Sequence, residues 1–125
     1  MCGKVQSDRF VLVSEQGCSL VRVEWQPGLD VTAEDAERLL DRLQELSPNE
    51  CPPMLAYLNG MASLNRDAFR AFAGRLNVRA LALVGPSGVD RLIANFFLDV
   101  HGPRYPTRHF EDTAEARQWL LRPSR

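Results

Sequence analysis

Two places in the chain set small hydrogen-bonding residues directly before a run that reads as a helix. The first is Asn59-Gly60-Met61-Ala62-Ser63, which continues through Leu64 to Asn65 and Arg66. The second is Gly85-Pro86-Ser87-Gly88. A helix start presents unpaired N–H groups and the positive end of the helix dipole, so either turn can hold an anion or an acidic partner. Each also has a plainer use, because Ser63 or Asn65 caps the first helix and Ser87 the second. Between Ser63 and Asn65 the sequence does not choose. The second turn has neither the lysine nor the glycine spacing of a P-loop, and it is not G-x-G-x-x-G, so nucleotide binding is not expected.

Other reactive side chains are scattered. His101 and His109 are the two histidines, and no third ligand stands at metal-binding spacing from them. His101 falls at a helix end, where a protonated imidazole complements the dipole, and His109 falls on the outward side of an edge strand. Cys2, Cys18 and Cys51 are an odd set with no C-x-x-C, which fits reduced thiols in a cytoplasmic protein. No serine or cysteine has a base and an orienting acid beside it, and there is no G-x-S-x-G elbow. Asp67, Asp90 and Asp99 read as helix-surface or capping carboxylates. The expectation is a protein without catalytic residues, metal or cofactor.

The aromatic residues Phe69, Phe72, Phe96, Phe97, Phe110 and Trp119 come mostly from helices and read first as core. Phe96 and Phe97 are neighbours, so only one can point straight inward, and the other falls at a cleft or an interface. Phe69, Phe96 and Phe97 are therefore the candidates for an apolar pocket.

These residues are positioned by a regular series of elements. Phe10–Ser14 and Ser19–Trp25 alternate as an antiparallel hairpin across the turn Glu15–Cys18. Thr32 caps a helix with Ala36, Leu39, Leu40, Leu43 and Leu46 on one stripe, ended by Pro48. Met54–Leu58 and Ala80–Val84 are apolar on both faces, as strands inside a sheet covered on both sides must be. Between them Arg66–Leu76 reads as a helix with Ala68, Phe69, Phe72, Ala73 and Leu76 inward. Ser87 and Asp90 make a capping-box pattern for the next helix, which carries Val89, Leu92, Ile93, Phe96, Phe97 and Val100 and stops at Gly102-Pro103. Thr107–Phe110 follows Pro106, which suits an edge strand. Asp112 and Glu115 open a last helix, with Ala116, Trp119 and Leu120 inward. The order β-β-α-β-α-β-α-β-α over residues 1–125 predicts one domain.

Composition agrees. The chain has 125 residues, 45% of them hydrophobic and 25% charged, and a formal net charge of −1. That length buries one core, and that charge gives no electrostatic reason to expect nucleic acid or an anionic membrane. No apolar run approaches the roughly 20 residues of a membrane span, and MCGKVQSDRF lacks the apolar centre of a signal peptide.

Three phrases carry a family resemblance: LNGMASLNRDAFRAF, GVDRLIANFFL and PTRHFEDTAEARQWL. With the element order, they make the chain resemble the SpoIIAA-like (STAS-type) proteins of bacteria. The resemblance implies an α/β fold, a βα superhelix with a mixed, mostly parallel sheet of about five strands flanked by four helices and an N-terminal antiparallel hairpin. It also implies action by binding rather than catalysis. In anti-sigma-factor antagonists of that family, a serine at the start of the second helix, after an aspartate, is phosphorylated by a partner kinase. The matching segment here is Ala62-Ser63-Leu64-Asn65-Arg66, where Asn65 or Arg66 takes the acceptor's place and neither can accept phosphate. The same superfold in lipid-transfer (CRAL-TRIO-type) domains holds apolar ligands.

The expected role is a regulatory module that binds a protein through the loop Asn59–Arg66, with Asn59, Gly60, Ser63, Asn65, Arg66, Ser87 and Gly88 as candidate contacts. Self-association as a homodimer would cover an edge strand or the aromatic helix face. The second reading is a binder of a small apolar ligand.

Overall fold

Alternation in the first half of the chain and doubly apolar runs in the second half resolve into one mixed sheet. The structure is a computed structural model, and it describes residues 3–15, 20–48, 51–101 and 105–121. The strands are β1 (Lys4–Gln6), β2 (Phe10–Glu15), β3 (Leu20–Trp25), β4 (Asp30–Val31), β5 (Pro53–Tyr57), β6 (Ser63–Leu64), β7 (Ala80–Val84) and β8 (Thr107–Phe110). The helices are α1 (Ala33–Leu46), α2 (Arg66–Arg75), α3 (Gly88–Phe96) and α4 (Thr113–Leu121), with a π-helical turn, Phe97–His101, after α3. Six strands form the main sheet in the order β1-β2-β3-β5-β7-β8. β1, β2 and β3 pair antiparallel, and β3, β5, β7 and β8 run parallel. Of the expected turn Glu15–Cys18, Glu15 ends β2; residues 16–18, Ser19, Cys2 and the Gly102-Pro103 stop lie outside the described residues.

Strand periodicity divides the core in two. Val21, Val23, Trp25, Met54, Ala56, Leu81 and Leu83 face α1, α2 and α3, with Leu39, Leu43, Phe69, Phe72, Ala94 and Phe97 against them. Leu20, Leu55, Ala80, Ala82 and Val84 face the other way, under Ala116 and Leu120 of α4. That is why β5 and β7 have almost no polar side. Arg117 of α4 reaches Glu15 at 2.9 Å, and Arg22 meets the same carboxylate at 2.9 Å, which fastens α4 to the hairpin.

Two features of the sheet differ from the sequence expectation. β1 adds a sixth strand, although only Val5 of its three residues is apolar; its ladder with β2 holds it. A separate parallel pair, β4 with β6, joins Asp30 to Ser63 and Val31 to Leu64. It lies between longer elements and carries too few residues to show a period.

The helix starts are capped by side chains. Thr32 Oγ1 accepts the amide of Asp35 at 3.3 Å, and the Asp35 carboxylate returns to the amide of Thr32 at 2.9 Å. Asp35 is also buried against Arg9, whose Nε and Nη2 donate to its two oxygens at 2.6 and 3.1 Å. Burial alone would raise the Asp35 carboxyl, but the Arg9 and Thr32 bonds outweigh it and hold it below the usual carboxylate range.

Candidate functional site

The two turns singled out above lie at the C-terminal ends of the adjacent parallel strands β5 and β7. Asn59 and Gly60 both adopt left-handed backbone, with φ of 53° and 73°. Asparagine and glycine are the residues that tolerate it. The Asn59 amide donates to the Trp25 carbonyl at 2.9 Å, which ties the loop to the end of β3. The Gly60 carbonyl accepts the amide of Gly28 at 3.1 Å. Further on, Ala62 donates to Leu29 at 2.8 Å and Asn65 to Val31 at 2.8 Å. Loop 59–65 is thus laid against residues 28–31 along its whole length.

Asp90 joins the two turns. Its Oδ2 accepts the Gly60 amide at 3.2 Å, and its own amide donates to Ser87 Oγ at 3.0 Å. The residue is 1% exposed, and its Oδ1 is buried with no hydrogen-bond partner among the described residues. A Cβ on Gly85 would lie 2.4 Å from the Asp90 Cβ, so only glycine lets the carboxylate pass beneath the turn. This corrects the sequence reading of Asp90 as a surface or capping-box carboxylate. Ser87 caps α3, but the reciprocal bond goes across the molecule to Gly60. Sequence carried no signal for it, because the partner lies 30 residues away.

The remaining candidates separate. Asn65 is the cap of α2, accepting the Asp67 amide at 2.7 Å. Ser63 belongs to β6 and donates to Asp30 Oδ1 at 2.6 Å in the open. Arg66 begins α2 and is exposed, as is Gly88 at the start of α3. Gly60 is therefore drawn to the start of α3, while Ser63 is held by Asp30. His109 is not outward: it pairs with Leu83 in the register and is half-buried on the α3 side. Its Nε2 carries a proton to the Gly85 carbonyl at 2.9 Å, since that oxygen can only accept. Arg91 pairs with Glu111.

Phe69, Phe96 and Phe97 do meet. The Phe69 centroid is 5.2 Å from that of Phe96 and 5.7 Å from that of Phe97, the second pair stacked. Of the three, Phe97 lines the cavity described below. Phe97 points inward and is 3% exposed, whereas Phe96 is 49% exposed. With Val89 and Leu92, Phe96 forms an apolar strip on the outer side of α3, and Leu92 is the most exposed of the three at 69%. The interior cavity, about 50 Å3, lies beneath α3 between the sheet and the three helices. It is lined by Ala56, Met54, Met61, Phe72, Ile93 and Phe97 among others, all hydrophobic. A polar hollow of about 190 Å3 lies between the ends of α1 and α2 beside Asp41, Gln44 and Arg75, and Arg75 there already pairs with Glu37. Among the described residues, no group of three His, Cys, Asp or Glu side chains could hold a metal ion, and no helix is long and apolar enough to cross a membrane.

The architecture is that of a known fold. An uncharacterized protein of the DUF3478 family from Shewanella loihica PV-4, with a SpoIIAA-like fold, matches 96% of this chain and 92% of its own with a TM-score of 0.59 at 15% identity. That likeness gives this chain a SpoIIAA-like fold. A protein of unknown function from Arthrobacter sp. FB24 is 33% identical over 88% of this chain and 91% of its own, with a TM-score of 0.34. No curated protein matches the sequence. The model of a domain of unknown function, DUF7793, matches residues 14–123, and the chain belongs to that family.

Proposed function

We propose that this chain is a non-enzymatic binding module that docks another protein on the outer side of α3. The observation that carries the reading is the strip Val89, Leu92 and Phe96, exposed by 47%, 69% and 49% on one side of a single helix. Side chains at spacings of three and four stand next to each other on a helix, so the strip is continuous. Grouped apolar side chains left in water, an aromatic among them, are a mark of contact sites. The loop Asn59–Arg66 is tied to the start of the same helix through Gly60 and Asp90. The resemblance to SpoIIAA-like proteins, which work by binding partners, supports the same class of action. A second copy of the chain is one occupant the experiment must recognise.

The test is a photo-crosslinking residue placed at position 92, with position 38 on the solvent side of α1 as control. A discrete product at 92 and none at 38, in cells of the source, is the expected result. Its mass separates a homodimer from a different partner. Leu92→Glu should leave the melting temperature unchanged, since exposed substitutions alter stability by about 0.5 kcal/mol or less, and should abolish the complex. Equal crosslinking at both positions, or none at either, overturns the reading.

A further inference from the structure

We propose that the cavity beneath α3 is a binding site for a small uncharged apolar molecule, and that its occupancy shifts α3 and with it the exposed strip. Every residue that lines the cavity is hydrophobic. A partly enclosed space walled almost wholly by carbon, with the Trp25 indole as its one polar side chain, offers water few hydrogen bonds, and its wall atoms lack dispersion partners until an apolar guest enters. At about 50 Å3 it is far below the several hundred Å3 of clefts that enclose drug-sized ligands. The guest is therefore a molecule of a few heavy atoms, not a lipid chain. The space exists because Ala56 stands on β5 between Met54 and Leu58, with Val23 and Leu83 opposite it in the neighbouring strands.

The walls differ in firmness. Twelve of the fourteen lining residues are buried; Leu64 and Ile93 are only half-buried, so the side nearest solvent lies between β6 and α3. α3 is the lightest wall, for only Asp90 and Ala94 of its nine residues are buried. Met61, also in the wall, is an unbranched side chain that repacks readily. Ile93 and Phe97 touch the cavity, while Leu92 and Phe96, each one residue earlier, face outward. The two sets lie on adjacent faces of one helical rod, about 100° apart, so a guest that displaces the inner set moves the outer set with it. The π-helical turn Phe97–His101 supplies slack at the end of that rod, and such turns often stand at functional sites.

The second half of the proposal concerns the strip assigned above to partner binding; the first does not depend on it. Xenon is the probe, followed by NMR on the full chain under increasing gas pressure. Saturable shifts of the Met54, Met61 and Ile93 methyl signals are expected, with the Leu92 and Phe96 amides moving along the same curve. Ala56→Val should fill the void and remove these responses. If that variant does not fold, Val23→Ile makes the same test. Absence of a saturable shift at the lining methyls overturns the site, as does an undiminished response in the filled variant. Saturation at the methyls with the Leu92 and Phe96 amides unmoved overturns the coupling. Neither result bears on crosslinking at position 92.

Discussion

The Gly60 amide donates to the Asp90 carboxylate at 3.2 Å, and that carboxylate passes so close to Gly85 that a Cβ there would lie 2.4 Å from the Asp90 Cβ. One side chain on α3 thus fixes both turns at the ends of β5 and β7. Gly85→Ala should destabilise the protein by about 1–3 kcal/mol, the usual penalty of overpacking. Asp90→Ala should cost about 1–3 kcal/mol by leaving the Gly60 amide without its acceptor. Asp90→Gly removes the acceptor and the Cβ together, so when it is combined with Gly85→Ala the added methyl meets neither, and the loss measured by urea unfolding should fall short of the sum of those two single losses by about 1 kcal/mol or more. Strict additivity would show that Gly85 is glycine for another reason.

Arg9 and Asp35 set the expected response to acid. The folded Asp35 carboxyl lies below its ordinary value, and the unfolded one titrates near 3.9. Between those two values the unfolded chain binds the extra proton, so stability falls as pH falls. The contribution is complete above the unfolded value and gone below the folded one. Asp35→Asn should therefore cost about 1–3 kcal/mol at neutral pH, the worth of hydrogen bonds to a charged group. Melting temperatures of variant and wild type should draw together as pH drops below about 4. A constant gap down to strongly acid solution would mean that Asp35 contributes through packing alone.

Much of this architecture was legible because core positions dictate their own pattern. Met54–Leu58 and Ala80–Val84 had no polar side, and strands covered on both faces are what the structure shows there. The α1 stripe was equally plain, since Leu39, Leu40 and Leu43 pack inward. β1 was not legible, with one apolar residue and a ladder supplied by β2. Nor was the pair β4 and β6, which owes its form to the elements around it. On α3 the period showed an apolar arc but not how much of it would be covered. Ile93, Ala94 and Phe97 turn to the core, and Val89, Leu92 and Phe96 are left outside. At the candidate site, capping by Ser87 could be read locally, whereas the Asp90–Gly60 bond joins segments that only the fold brings together.

The adjacent phenylalanines where α3 meets the π-helical turn give the sharpest contrast in packing. Phe97 is 3% exposed, stacks on Phe69 and faces the cavity. Phe97→Ala should cost about 3–5 kcal/mol, as large aromatic deletions in cores do. Phe96 has half its surface in water while touching Phe69 with one side. Phe96→Ala should cost about 1 kcal/mol or less, the worth of one aromatic contact. Chemical denaturation of the two variants checks the order, and equal losses would mean that the outer side of α3 is packed after all.

The start of α2 decides between two residues that sequence left level. Asn65 Oδ1 accepts the Asp67 amide at 2.7 Å, and no side chain of Ser63 takes part in the cap. Asn65→Ala should therefore remove about 1 kcal/mol. Ser63→Ala gives up only an exposed bond to Asp30, and its effect should stay within about 0.5 kcal/mol. Phosphate on Ser63 would stand beside the Asp30 carboxylate, where two like charges repel. Ser63→Asp places one such charge there without a kinase. It should loosen the β4–β6 pair, seen as faster hydrogen exchange at the Ser63 and Asn65 amides than in Ser63→Ala. Matching exchange rates in the two variants would mean that the backbone bonds from residues 62–65 to Leu29 and Val31 hold the pair without help from the side chains.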